Sequence, residues 1–454
     1  LINIMSIDLK QINKWNGNVA NVTMFIALQN AVTKNNINDL VIDWEEYNKQ
    51  NFNFNHVIET EGKSTNQKSS GRCWMFAGLN VIRNKFIKQL GLKSDFELSQ
   101  SYLFFYDKLE RANYFLESII KNRNKELNDR LMQHLFDDPL CDGGQWHMFT
   151  NLVKKYGVIP KQAYKESFHS SSSRKMNWIL TWKLRQYASN ILDNKGKNID
   201  ELRDIKSRNL EEYHKILCLF LGTPPVYFEW SYKDKDSKYK IEKDLTAKDF
   251  FKKIEMNLDD YVCLVDDPRN EYNKKMKVEY LGNILDGEAI KYYNINIEEI
   301  IKYTAKSIRE NQPVWFGCDV GTWLHHSLNL MDNKILNYES LINSSMHMSK
   351  KNRILFRNSV MTHAMVFTGY ENEETESECA DNIIKWRVEN SWGAKGVEDG
   401  YYSMTNSWFR EYVYEVVVHK ELLDKEILEK MNKSEDTIIL PPWDPMGSLA
   451  KSKY

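Results

Sequence analysis

Residues 66–78, "NQKSSGRCWMFAG", set one cysteine between an arginine and a tryptophan, six positions after a glutamine. The stretch from Gly62 to Gly71 that leads into it is small, polar and loop-like. From Cys73 onward, "CWMFAGLNVIRNKFIKQLG" carries apolar residues at Trp74, Ala77, Leu79, Val81, Ile82, Phe86 and Leu90, close to helical spacing, and ends on Gly91. The spacing predicts that Cys73 stands at a helix start, where the partial positive charge of the helix end favours a thiolate. A free thiol, with a pKa of about 8.5, is mostly protonated at neutral pH, so a nucleophilic Cys73 also needs a histidine to take its proton.

The chain has ten histidines. The His325–His326 pair suggests a metal site, but no carboxylate or cysteine at ligand spacing supports one. His363 differs in context: it opens "MTHAMVFTGY", an apolar strand pattern that would hold its ring rigidly. Twenty-seven positions later "RVENSWG" offers Asn390 on a second strand, and a hairpin across the acidic run at 371–382 would bring the two side chains together. Asn390 would then accept the imidazole N–H and fix the tautomer, with Trp392 covering that bond from water. The Gln67 amide and the Cys73 backbone N–H would donate to the oxyanion formed when a scissile carbonyl becomes tetrahedral.

Working outward, 454 residues with 42% apolar content supply a large core or two lobes sharing an interface. Sixty-two basic residues face 63 acidic ones, so no global field points to nucleic acid or to a membrane surface. No run approaches the length of a membrane span, and the opening "LINIMSIDLKQINKW" does not read as a secretory signal. Six scattered cysteines without a CxxC pair fit reduced thiols in the cytoplasm, and the Asn-x-Ser/Thr triplets at Asn21, Asn343 and Asn432 are ascribed to chance in an Asn-rich chain. Helical patterns dominate first, including "SQSYLFFYDKLER" with a serine at its cap and two or three amphipathic helices over 170–222. Strand patterns dominate later, in "YVCLVDDP", "PVWFGCDVG", "HAMVFTGY", "IIKWRVENSW" and "YEVVVHK". That segregation predicts an α+β fold.

With Gln…Cys-Trp, His and Asn-Ser-Trp-Gly in this order, the chain resembles the papain-like cysteine peptidases. The strings "TNQKSSGRCWMFAGLNVIR", "DGGQWHM", "VKKYGVIPK", "MTHAMVFTGY", "KWRVENSWG", "EYVYEVVV" and "LPPWDPMGSLA" make it similar to the bleomycin hydrolase and aminopeptidase C branch, from roughly residue 60 to Ala450. The resemblance implies a two-lobe fold, a helical lobe plus a sheet lobe, with a large helical insertion and a C-terminal arm. It divides the chain into an N-terminal extension or hook at 1–60, a nucleophile-bearing helical lobe at 61–164, an inserted, mainly helical region at 165–310, a sheet lobe carrying His and Asn at 311–435, and an arm at 436–454. Cys73 and His363 are 290 positions apart, about twice the 130–150 of smaller papain-like enzymes, which is why an insertion is expected.

Carried over residue by residue, the resemblance implies Cys73 as nucleophile, His363 as general base and acid, Asn390 as orienting group and Gln67 as oxyanion donor. Gly143 and Gly144 would lie against the substrate backbone, with Trp392 and Ala450 also on the substrate side. It further implies a cage-like homohexamer without metal or cofactor, acting on peptides as a cysteine aminopeptidase and on the bleomycin carboxamide as a side activity. In the family the arm enters the cleft and its terminal carboxylate meets the substrate α-ammonium, excluding longer chains. "KSKY" continues past Ala450, which sets the expectation that the enzyme clips its own terminus near Ala450 or Lys451. The alternative is a non-peptidase hexamer that binds protein, or weakly binds nucleic acid, through a local basic channel, although no nucleic-acid motif supports it.

Overall fold

In a computed structural model of the chain, residues 6–20, 23–373, 382–433 and 436–451 are described. Asn21, most of the acidic 371–382 run with Cys379, and Ser452–Tyr454 lie outside them. Two N-terminal helices, α1 (Leu9–Ala20) and α2 (Thr23–Lys34), present Leu9, Trp15, Met24 and Phe25 to solvent.

The Cys73 pattern forms α3 (Cys73–Leu90), and Gly91 closes it in the left-handed conformation at φ 62°, its N–H donating to the Ile87 carbonyl. That conformation suits glycine because a Cβ would crowd the adjoining carbonyl. Most side chains of α3 are buried, including the polar Asn80, Arg83 and Asn84, and the exposed or half-buried ones are confined to its last two turns. It runs beside α4 (Gln100–Lys121), whose Ser99 cap accepts from the Tyr102 N–H, and α5 (Trp146–Tyr156). Two longer amphipathic helices follow, α6 (Arg174–Asp193) and α7 (Ile199–Leu221), the latter opened by a reciprocal Asn198–Glu201 capping box. They pack on α4 and leave their polar faces to solvent.

The strand patterns join one mixed sheet of twelve strands among the described residues. Its longer members are β1 (Tyr261–Val265), β2 (Lys274–Val278), β3 (Tyr292–Asn294), β4 (Val314–Cys318), β5 (His363–Asn372), β6 (Ile383–Glu389), β7 (Tyr401–Thr405), β8 (Val413–His419) and β9 (Thr437–Leu440). Their spatial order is β9-β2-β3-β1-β8-β4-β5-β6-β7. The span 165–310, read from sequence as mainly helical, holds strands as well past Leu221: a separate two-stranded hairpin (Phe228–Lys233 with Tyr239–Leu245) and three strands of the main sheet, beside the helices Ala247–Phe251 and Ile297–Arg309. The physical reason lies in β1: Cys263, Leu264 and Val265 are fully apolar and buried, and they pair with β8 at the centre of the sheet. The α+β segregation holds, with α3 packed between its helical neighbours and β4–β5.

Candidate active site

Cys73 is the first residue of α3 and is fully buried. Its sulfur receives the backbone N–H of Ala364, which puts it beside His363, the first residue of β5. His363 Nε2 meets Asn390 Oδ1 at 2.9 Å, while its Nδ1 is buried without a hydrogen-bond partner. The Trp392 ring stacks on the imidazole, with centroids 4.8 Å apart at 28°. Asn390 lies just past the end of β6, where the β5–β6 hairpin pairs Val366 with Glu389 and so draws positions 363 and 390 together. One imidazole nitrogen is thus oriented by Asn390, and the other is left for a proton from sulfur.

Burial penalises the charged form of both groups. It pushes the Cys73 thiol up to about 12, against small opposing effects of the surrounding N–H groups, and the His363 imidazole down to about 4, despite its bond to Asn390.

Gln67 accepts from the Ser391 hydroxyl at 2.7 Å and donates through Nε2 to the Ser70 carbonyl at 2.7 Å, leaving its second amide hydrogen for an oxyanion. Its position is set from behind: Glu166 holds the Arg72 guanidinium in a bidentate pair, and Arg72 Nε donates to Ser70 Oγ at 2.9 Å. Backbone bonds from Gln67 N to Ser391 O and from Gly393 N to Thr65 O stitch the loop before Cys73 to the loop after Asn390. A second tie joins the same elements deeper in the core. Arg83 of α3 forms a buried ion pair with Glu389, which also accepts from Asn80 at 3.0 Å. Burial lifts the Glu389 carboxyl to about 7 even though Arg83 draws it down. Arg83→Met strands that carboxylate and is expected to cost about 3–5 kcal/mol, read from the urea unfolding midpoint.

The two glycines face opposite ways. A Cβ on Gly144 would stand 2.4 Å from the Trp74 indole, and one on Gly143 would stand 2.0 Å from the Leu449 carbonyl. The ledge expected to hold substrate backbone therefore carries the chain's own arm. Between β9 and the cleft, Asp444 is clamped by Arg269 through two bonds, at 2.8 and 3.2 Å. Beyond it the Met446 carbonyl accepts from Tyr292 Oη, Ser448 Oγ donates to the Met361 carbonyl, and the Cys141 thiol reaches the Ala450 carbonyl at 2.5 Å. Leu449 and Ala450 are buried.

Sequence reasoning did not single out Ser391, Asp142 or Glu415, and it weighed His326 only as half of a metal-site pair. Ser391 and Asp142 lie within the quoted "RVENSWG" and "DGGQWHM" strings, so proximity to the named residues was the available signal. Asp142 accepts from Lys108, Asn177, Ser173 and the Gly71 N–H, and its carbonyl takes the Trp74 indole N–H at 2.6 Å. Burial works to raise its carboxyl, but Lys108 and the other donors outweigh that and hold it well below the usual range. His326 lies against Trp392, with centroids 5.1 Å apart.

Glu415 on β8 is buried beside the would-be Cβ of Gly317, which Leu449 and Met361 also approach. Burial pushes its carboxyl up to about 8, the Cys263 thiol offsetting a little of this. The folded state thus keeps a proton that the unfolded chain releases above about pH 4.5, so this group's contribution to stability is complete below that pH and is lost as pH rises towards 8. Glu415→Gln should remove the decline. Relative to the parent protein, it is expected to be more stable by roughly 3–5 kcal/mol at pH 8 but not at pH 4.5, measured by urea unfolding at both.

A model of the Peptidase C1-like family matches residues 6–447. Bleomycin hydrolase of Rattus norvegicus is 42% identical over 437 residues, covering 94% of this chain and 95% of its own length. Aminopeptidase C of Listeria innocua is 42% identical over 400 residues, covering 87% and 88%. Among solved structures, PepW from Lactobacillus rhamnosis superposes with a TM-score of 0.93 at 36% identity, over 98% of this chain and 99% of that one.

Proposed function

We propose, from the premise that this chain belongs to the Peptidase C1-like family and is a cysteine peptidase, that it removes single residues from the N-termini of peptides. The observation that carries this reading is the His363 ring, held by Asn390 at one nitrogen with the other unpartnered, on the residue next to Ala364, whose backbone N–H points to the sulfur of Cys73.

As substrate enters, His363 Nδ1 takes the Cys73 proton and the sulfur adds to the scissile carbonyl carbon, forming a C–S bond. The oxyanion is met by the Cys73 N–H and the free amide hydrogen of Gln67. His363 then gives its proton to the leaving nitrogen as the C–N bond breaks, and a water activated by the same ring hydrolyses the thioester. A bleomycin-type carboxamide presents the same C–N bond.

The arm on Gly143 supports the restriction to N-termini, since it fills the cleft where residues preceding the scissile bond would lie. A carboxylate at its end, near Ala450, would pair with the substrate α-ammonium. The decisive assay compares fluorogenic aminoacyl amides with their N-acetylated forms, with and without a thiol alkylator; hydrolysis of both forms alike would overturn the reading.

We further propose self-association, in keeping with the homohexamer implied by resemblance. The apolar side chains exposed on α1 and α2 form the kind of surface that a second copy covers. Removing residues 1–36 should lower the mass seen by analytical ultracentrifugation to that of the monomer. No helix among the described residues is long and apolar enough to cross a membrane. The five described cysteines are all free, which supports work in the cytoplasm.

A further inference from the structure

Outside the site, α6 carries two exposed tryptophans one turn apart. Trp178 is 55% and Trp182 64% exposed, and their rings stand 5.8 Å apart at 51°. Exposed indoles leave much apolar surface in water, and an adjacent pair forms a face for a flat ring. Lys175 lies over Trp178 at 3.9 Å, so one side of that indole is already taken.

The pair borders a pocket of about 340 Å³ whose lining includes Cys141, Asp142, Arg174 and Asn177. This wall is shared with the active site. Asp142 accepts from the N–H of Gly71, two residues before the nucleophile, and from Asn177 of α6, while Cys141 meets the Ala450 carbonyl at the end of the arm. Ser173 also donates to Asp142, so the start of α6 is fastened to the loop that carries the glycine ledge.

We propose that this pocket receives the side chain of the substrate's N-terminal residue and selects large aromatic ones. The proposal rests on the aminopeptidase reading above. With the α-amine at the end of the arm and the carbonyl carbon at Cys73, only one residue fits between them, and the Cys141–Asp142 segment borders that interval. Acidic Asp137, Asp138 and Asp142 and basic Arg174 and Arg185 line the pocket; with Asp142 already paired to Lys108, the two remaining acids face two bases and select no ionic side chain, whereas the two indoles select by area and shape.

The test has two arms on full-length protein. In the first, kcat/KM for phenylalanyl and alanyl coumarylamides is compared in the parent, in Trp178→Ala/Trp182→Ala and in Trp178→Phe/Trp182→Phe. The ratio of phenylalanyl to alanyl should fall at least about tenfold in the double alanine variant and largely return with phenylalanine. In the second, phenylalaninamide and alaninamide are titrated calorimetrically into Cys73→Ala protein; the aromatic amide should bind at least about tenfold tighter, and the alanine pair on that background should abolish the difference. An unchanged ratio with equal binding overturns the proposal. So does a change in oligomeric mass caused by the alanine pair, which would make the indoles a contact between copies. If N-acetylated substrates are cleaved as well as free ones, the aminopeptidase reading fails, while the binding arm still decides whether the pocket prefers an aromatic side chain.

Discussion

Cys73→Ala protein is expected to fold, to keep its oligomeric mass and to hydrolyse aminoacyl amides at least about 10⁴-fold more slowly than the parent, because it lacks the sulfur that attacks the carbonyl in the proposed mechanism. His363→Ala should lose activity to a similar degree, and the double variant little more, since groups acting as one unit are not additive. Stopped assays with a phenylalanyl coumarylamide check all three. If His363→Ala kept more than a tenth of the parent rate, the proton would be travelling elsewhere and the assignment of the base would fall. Asn390→Ala should cost less, because Trp392 still holds the ring in its plane.

The second large effect comes from the arm. A chain ending at Pro445 lacks Met446, Ser448, Leu449 and Ala450, and with them the contacts at Tyr292, Met361, Gly143 and Cys141. N-acetylated peptides should become substrates, while free aminoacyl amides lose a charge-assisted contact and weaken by about 10–100-fold. The relative preference for a free amine would then collapse by on the order of 100-fold or more, read as a ratio of kcat/KM values. Cys73 should also respond. With Leu449 and Ala450 gone, water enters the space they close, the penalty on the thiolate falls, and alkylation at pH 7 should quicken by more than tenfold. Unchanged selectivity against blocked peptides would show that something other than the arm closes the cleft.

Much of this geometry was legible before any coordinates. The start of α3 followed from a polar loop giving way to helical spacing, and the strands at His363 and before Asn390 from β-branched and aromatic runs on either side of an acidic turn. What could not be read was whatever depends on partners remote in sequence. Asp142 gathers Lys108, Ser173 and Asn177 from two helices, and no local pattern announces such a cluster. Glu415 in "YVYEVVV" looks like the outward position of an alternating strand, yet β8 lies between β1 and β4 and the arm covers its neighbourhood, so both faces are dry. The burial that works against charge on Cys73 and His363 was hidden for the same reason: the helix start is local, whereas dehydration is a property of the assembled core.

The bidentate clamp of Arg269 on Asp444 makes the arm a gauge of fixed length. Upstream of it the segment is fastened, through β9, to the parallel strand β2; downstream, among the described residues, runs the turn from Pro445 to Lys451. Because that turn advances about 2 Å per residue and an extended peptide about 3.3 Å, excising two residues after the clamp would set the stop back by about one substrate unit. A peptidase shortened in this way would count in twos, releasing dipeptides where its parent releases single amino acids.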